Sequence, residues 1–202
     1  MKALTMNYNA EMKKLISALD GNRLLLHSCC APCSSSVIER LKNVFSLTII
    51  YYNPNIEPLE EYLKRKTEQL RLLKILAIPY LDIDYLNEEF KTKIKGDEKE
   101  PENGKRCLKC YELRLEKTAM LAKSEGFNYF GTTLTVSPHK KAPIINEIGL
   151  NIAEKYQVKY LVSDFKKEAG YQKSIELAKK YHLYRQDYCG CRYSKGAEKD
   201  EK

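Results

Sequence analysis

A chain of 202 residues is long enough for one α/β domain with a substantial core and too short for two independent ones. A hydrophobic fraction of 43% at regular spacing excludes a largely disordered chain, and no unbroken apolar run is long enough to span a bilayer. Lys and Arg total 35 against 27 Asp and Glu, a net charge of +8 that suits a polyanion such as RNA but is shared by many proteins with no such partner. The segment Met1–Asp20 lacks the hydrophobic core and small-residue cleavage site of an export signal, so the cytoplasm is expected. In that reducing compartment, seven cysteines in short clusters read as metal ligands or a redox couple rather than a disulfide framework.

In chain order, a helix is predicted over Ala10–Leu19, a turn at Asp20-Gly21-Asn22 and a buried strand at Arg23–His27, where the first cysteines begin. A helix over Ser34–Leu41, a strand over Leu47–Tyr52, a loop at Asn53-Pro54-Asn55 and a long helix over Leu59–Leu76 follow. A third strand is expected at Tyr80–Ile83. Asn87–Lys95 then leads into a charged segment, Lys95–Lys105, expected to be a mobile loop that delivers the second cysteine pair. Arg114–Ala122 falls in a helix ending near Gly126, and Phe127–Thr132 reads as a strand. Ser137-Pro138 suits the start of a helix running to about Tyr156. A strand at Val158–Val162 and a helix at Gln172–Lys180 lead to Tyr181–Ser194, with the third cysteine pair, and residues 195–202 read as a frayed tail. The alternation gives an α/β class, a mostly parallel sheet with helices on both faces, whose ligands bind at the carboxyl ends of the strands. His27–Cys33, Asn53–Glu57, Thr132–Ser137 and Ser163-Asp164 all fall at such ends.

Cys29-Cys30-Ala31-Pro32-Cys33 and Cys107-Leu108-Lys109-Cys110 offer five thiols, enough for a [4Fe–4S] cluster or for a tetrahedral zinc site. Cys29 and Cys33 compete for one place, and Cys33 falls near a helix start, where the macrodipole favours thiolate. In Cys189-Gly190-Cys191 a single glycine holds two thiols close enough for a strained, reducible disulfide, or for ligation of the same metal. His27 suits a metal ligand, a proton relay or a hydrogen-bonded core histidine; Asp164 suits a second metal, a cap or a pair with Lys166. Asn53 and Asn55 offer amides to a base, while Thr132, Thr133, Ser137 and Lys140 offer hydroxyls and a cation to a phosphate. Lys64, Arg65 and Lys66 give either a track for an RNA backbone or an ordinary charged helix face. Neither a Walker A loop nor a G-x-G-x-x-G fingerprint is present.

Six motifs in order carry a resemblance: His27-x-Cys29-Cys30-Ala31-Pro32-Cys33, Tyr52-Asn53-Pro54-Asn55-Ile56, Arg106-Cys107-x-x-Cys110, Thr132-Thr133-Leu134-x-x-Ser137-Pro138, Phe165-Lys166-Lys167 with Gly170-Tyr171, and Tyr184-Arg185-Gln186-x-Tyr188-Cys189-Gly190-Cys191. From Leu24 to Ser194 the chain resembles the epoxyqueuosine reductases of the QueH type. The resemblance implies cobalamin-independent removal of the epoxide oxygen of epoxyqueuosine at the tRNA wobble position, with electrons from an unidentified donor. It implies a [4Fe–4S] cluster on Cys29, Cys30, Cys107 and Cys110 and a redox-active pair, Cys189 and Cys191. It also raises an additional iron ion near Cys33 and Asp164. The sheet resembles that of nucleotide-α-hydrolase-like proteins, among them ATP-dependent tRNA thiolases. A thiolase, however, should carry a pyrophosphate loop where His27-Ser28-Cys29-Cys30 stands. A noncatalytic zinc-containing RNA-binding module is the other rival, distinguished by stoichiometric zinc and no redox response.

Overall fold

The computed structural model describes residues 6–19 and 21–195. Five parallel strands lie in the order β3-β2-β1-β4-β5: β1 Asn22–His27, β2 Phe45–Ile50, β3 Tyr80–Leu81, β4 Tyr129–Thr132 and β5 Lys159–Tyr160. The helices are α1 Tyr8–Ser17, α2 Ala31–Leu41, α3 Leu59–Leu76, α4 Asn87–Ile94, α5 Lys105–Ser124, α6 Ala142–Tyr156 and α7 Gly170–Lys180. β1 pairs with β2 from Asn22↔Phe45 to His27↔Ile50, and with β4 from Leu24↔Tyr129 to His27↔Thr132. The chain thus winds outward from β1 to β3 and returns to the other side of β1, which opens a crevice at the carboxyl ends of β1 and β4.

The side-chain period of two divides β1 between two cores. Leu24 and Leu26 join Leu47 and Ile49 under Val37, Ile38 and Leu41 of α2 and Met12 of α1. Leu25 joins Ile50 and Phe130 under Tyr111, Leu115 and Ala119 of α5 and Ile145 of α6. Full burial of each of these leucines contributes about 1.5–3 kcal/mol. A strand covered on both faces reads as an unbroken apolar run, which is why Leu24-Leu25-Leu26 shows no alternation. No helix among the described residues is long and apolar enough to cross a membrane.

Several boundaries differ from the sequence reading, and three of the differences bear on the site. α2 begins at Ala31, three residues early, because Pro32 sits without penalty in a first turn; Cys30 becomes the N-cap and Cys33 a first-turn residue. α5 begins at Lys105, so Cys107 and Cys110 ride on the first two turns of a helix rather than on a loop. The preceding segment is tied down: buried Arg106 donates to the carbonyls of Glu98 (2.7 Å) and Glu100, and Lys109 pairs with Asp97. Ser137-Pro138 does not start a helix. Thr133–Val136 forms a 3-10 turn, and α6 starts only at Ala142 with Pro143 in its first turn. The turn at Asp20 and the tail over residues 196–202 lie outside the described residues.

Candidate active site

β1 ends at His27, and the next two residues turn into α2 under a shell of buried polar contacts. Ser28 donates its amide to Ile50 O (2.9 Å) and its hydroxyl to Gln69 Oε1 (2.6 Å), which also accepts from Ser34 Oγ (3.0 Å). Asn53 Nδ2 donates to Ser28 O (2.8 Å). Cys29 N donates to Thr133 Oγ1 (3.1 Å), and that hydroxyl lies 3.4 Å from Cys29 Sγ. This scaffold brings the Cys29, Cys30 and Cys33 sulfurs within 4.8 Å of one another, with 3.9 Å between Cys29 and Cys30. Hydrogen bonds from Cys30 and Cys33 hold the Cys29 thiol well below its usual pKa, while the same contacts push the other two up, Cys30 to about 12.

The second pair faces the third. Cys107 and Cys110 line a small cavity with Cys189, Cys191, Asn55 and Tyr111, and Cys191 packs against Cys110, Phe90 and Ile94. Burial pushes Cys110 up to about 11, and raises Cys107 as well, despite the N-terminal end of α5. Cys189 also opens onto a larger cavity of about 370 Å³ shared with Cys29, Cys33, Arg114, Ser137, Lys140, Tyr171, Arg185 and Tyr188. That cavity occupies the crevice at β1 and β4. No disulfide joins any of the seven cysteines in this structure, Cys189 and Cys191 included.

The third pair is held by the Asn-Pro-Asn loop. Glu57 N donates to Gly190 O (2.9 Å), Tyr188 OH donates to Glu57 O (2.9 Å), Arg65 Nη1 donates to Cys189 O (3.3 Å), and Arg192 clamps the Glu57 carboxylate through two contacts of 2.8 and 3.1 Å. Gly190 has φ +123, and a Cβ there would lie 2.8 Å from Ile56 Cγ1. Only glycine fits this crossing.

His27 is fully buried: Nδ1 lies 2.9 Å from Thr132 Oγ1, and Nε2 lies 3.1 Å from Tyr52 O and 3.3 Å from Arg114 Nε. Burial, then the Arg114 charge, pushes its pKa down to about 3, so the ring is neutral and spaces β1 from α5. Thr132 also caps the 3-10 turn through Leu134 N (3.2 Å). Asn53, Asn55, Thr132 and Thr133 are therefore buried within the scaffold, whereas Ser137 and Lys140 reach the larger cavity. Asp164 pairs with Lys166 (3.3 Å) and does not join the three-thiol group. Arg65 is 2% exposed and pairs with Glu61 (2.6 Å), which removes it from any RNA-facing surface; Lys64 lies over the Tyr184 ring at 3.6 Å.

Two residues at the centre escaped the sequence reading. Arg114, 2% exposed, places Nη1 3.7 Å from Cys110 Sγ. Gln69 gathers the two serine hydroxyls. Both interrupt apolar helical faces, Arg114 between Tyr111 and Leu115 and Gln69 between Tyr62 and Leu72-Leu73, and a polar residue in such a stripe is the signal that could have found them.

A family model described as "Epoxyqueuosine reductase QueH" matches residues 24–197. A protein of Staphylococcus epidermidis named epoxyqueuosine reductase QueH is 43% identical over 95% of this chain and 85% of its own length. One of the same name from Haemophilus influenzae is 47% identical over 86% of this chain and 71% of its own. Among solved structures, the U34-tRNA thiolase NcsA from Methanococcus maripaludis, with its [4Fe-4S] cluster, aligns over 92% of this chain and 67% of that one with a TM-score of 0.55 and 17% identity, a likeness of fold. With the expected parallel α/β sheet, cysteines from three segments on two adjoining cavities and this match across most of its length, the chain belongs to the QueH family of epoxyqueuosine reductases.

Proposed function

We propose that the protein reduces epoxyqueuosine to queuosine in tRNA at the cavity between the ends of β1 and β4. The observation that carries this is the convergence of six cysteines, from three separate segments, on that cavity and its smaller neighbour, with Cys30 buried beside Cys29. The chemistry of the donor set suits a [4Fe–4S] cluster: Cys29 and Cys30, grouped with Cys33 within 4.8 Å, would give one pair of ligands and Cys107 and Cys110 on the adjoining cavity the other, with Arg114 against Cys110. Cys189 and Cys191 act as the redox-active pair; Cys189 touches both cavities, which suits relay of electrons between them. A second iron would draw on Cys33, the remaining thiol of the first group.

When bound, the cluster supplies electrons singly and a Lewis-acidic iron. The net change is loss of the epoxide oxygen as water against two electrons and two protons, leaving an alkene. The chain's part is to bind and to deliver protons. Ser137 Oγ and Lys140 Nζ on the cavity wall hold hydrogens for the leaving oxygen. Tyr171, Tyr188 and Arg185 give it aromatic and guanidinium faces for a base drawn out of the anticodon loop. Neutral His27 fixes the end of β1 beneath the thiols. A tRNA substrate supports a cytoplasmic location. Anaerobic reconstitution, iron and sulfide analysis, and turnover of epoxyqueuosine-containing tRNA with a chemical reductant test the reading: cluster with conversion supports it, and zinc without sulfide or an intact cluster without conversion rejects it.

A further inference from the structure

Two cations stand at this centre without a carboxylate, one buried and one half-buried. Arg114 is 2% exposed, and its side chain meets His27 Nε2 (3.3 Å) and Cys110 Sγ (3.7 Å). Lys140 lines the cavity wall with Cys29 and Cys189, and its ammonium makes no ion pair among the described residues. The cavity's own carboxylates, Glu102 and Asp187, are exposed on its rim and pair with neither cation. Burial of an unpaired cation costs several kcal/mol, so a fold that keeps Arg114 buried and Lys140 half-buried beside it is built around negative charge. The neighbouring thiols are the groups that can carry it. Arg114 meets the Cys110 sulfur, and Lys140 shares the cavity wall with Cys29 and Cys189.

Resting on the cluster reading above, we propose that Arg114 and Lys140 are the built-in counter-charge of the thiolate-held centre and set its reduction potential, Arg114 from the core side and Lys140 from the substrate side. Four thiolates outweigh the positive iron–sulfur core, and each electron accepted from the enzyme's donor adds one negative charge beside these cations. The reduced form therefore gains more from them than the oxidised form does, and the potential rises. The water-poor setting of Arg114 keeps this interaction from being screened as a surface pair would be. Neither residue need touch substrate for the effect.

The test is an anaerobic potentiometric titration of the reconstituted full chain, followed by electron paramagnetic resonance, with iron and sulfide counted in every sample. Lys140→Met and Arg114→Met should each lower the midpoint by at least 59 mV, a tenfold shift of a one-electron equilibrium, while Lys140→Arg and Arg114→Lys recover most of it. Should Arg114→Met fail to assemble the centre, Lys140→Met, which alters a cavity wall rather than the core, decides alone. Unchanged midpoints in fully loaded Met variants overturn the proposal, as does an equal loss in the charge-keeping variants, which would mark a packing effect. A wild-type chain that takes up no iron and sulfide instead rejects the cluster reading beneath it.

Discussion

Replacing Gly190 by alanine puts a methyl group where the third cysteine pair crosses the Asn-Pro-Asn loop. The φ of +123 lies outside what an alanine accepts, a cost of about 1–3 kcal/mol. The new Cβ would also lie 2.8 Å from Ile56 Cγ1, and Ile56 is 1% exposed, packed with Tyr51 and Tyr62, so it cannot swing away; overpacking adds about 1–3 kcal/mol. Against this stand the bonds from Glu57 N to Gly190 O, Arg65 to Cys189 O and Tyr188 to Glu57 O, worth about 0.5–1.5 kcal/mol each. The strain of about 2–6 kcal/mol matches or exceeds what these three return. The segment around Cys189 and Cys191 should therefore lift from the loop rather than the whole sheet unfold. Native-state hydrogen exchange reads this directly: the Glu57 amide should lose protection while amides of β1 keep theirs, and turnover should fall at least tenfold. Wild-type protection at Glu57 together with wild-type turnover would refute the reasoning.

Gln69→Leu removes the acceptor shared by Ser28 and Ser34, but each hydroxyl keeps a backbone carbonyl, Cys30 O at 3.4 Å and Ala31 O at 3.2 Å, so the urea midpoint should report a loss of only about 1–2 kcal/mol. Gly149→Ala gains about 1 kcal/mol of helix propensity but drives a Cβ to 2.4 Å from the Tyr160 ring, a cost of about 1–3 kcal/mol, and should lower the thermal midpoint unless Tyr160 is also made leucine. Glu57→Gln loses the Arg192 clamp, but Arg192 is 62% exposed, so stability should change by less than about 1 kcal/mol. With Arg65 turned inward and Lys140 on the cavity wall, an RNA-tracking role falls to Lys64 and Lys141: Lys64→Glu with Lys141→Glu should weaken tRNA binding and flatten its salt dependence, and unchanged binding would reject that surface.

The parallel sheet and the site at its strand ends were legible because Leu24-Leu25-Leu26 and Leu59–Leu76 carry strong local signals, a buried run and a long 3.6-residue period. Helix starts were not. Pro32 satisfies a first turn, so α2 could begin upstream of Ser34, and nothing local announces that the charged residues before Cys107 would be gathered by Arg106 into a capped helix. The docking of Asn53–Glu57 on Gly190 joins segments more than 130 residues apart, and no periodicity encodes it. Arg65 misled for a related reason: a run of Lys64-Arg65-Lys66 reads as surface, yet one residue in three on a helix turns inward, and Glu61 one turn earlier supplies the partner that lets Arg65 do so. Asn53, Thr132 and Thr133 were read as offering polar atoms to a ligand, but those atoms serve the scaffold beneath the thiols, whereas Asn55 lines the small cavity beside Cys107 and Cys189, a distinction that only packing reveals.

The most direct test of the central claim is the anaerobically reconstituted enzyme mixed with epoxyqueuosine-containing tRNA and a chemical reductant, with iron, acid-labile sulfide and zinc measured on the same sample. The expected result is ~4 irons per chain with matching sulfide, or one iron more where a second site fills, and conversion of the modified base to queuosine. Stoichiometric zinc without sulfide, or a complete cluster that leaves the epoxide intact, would contradict it.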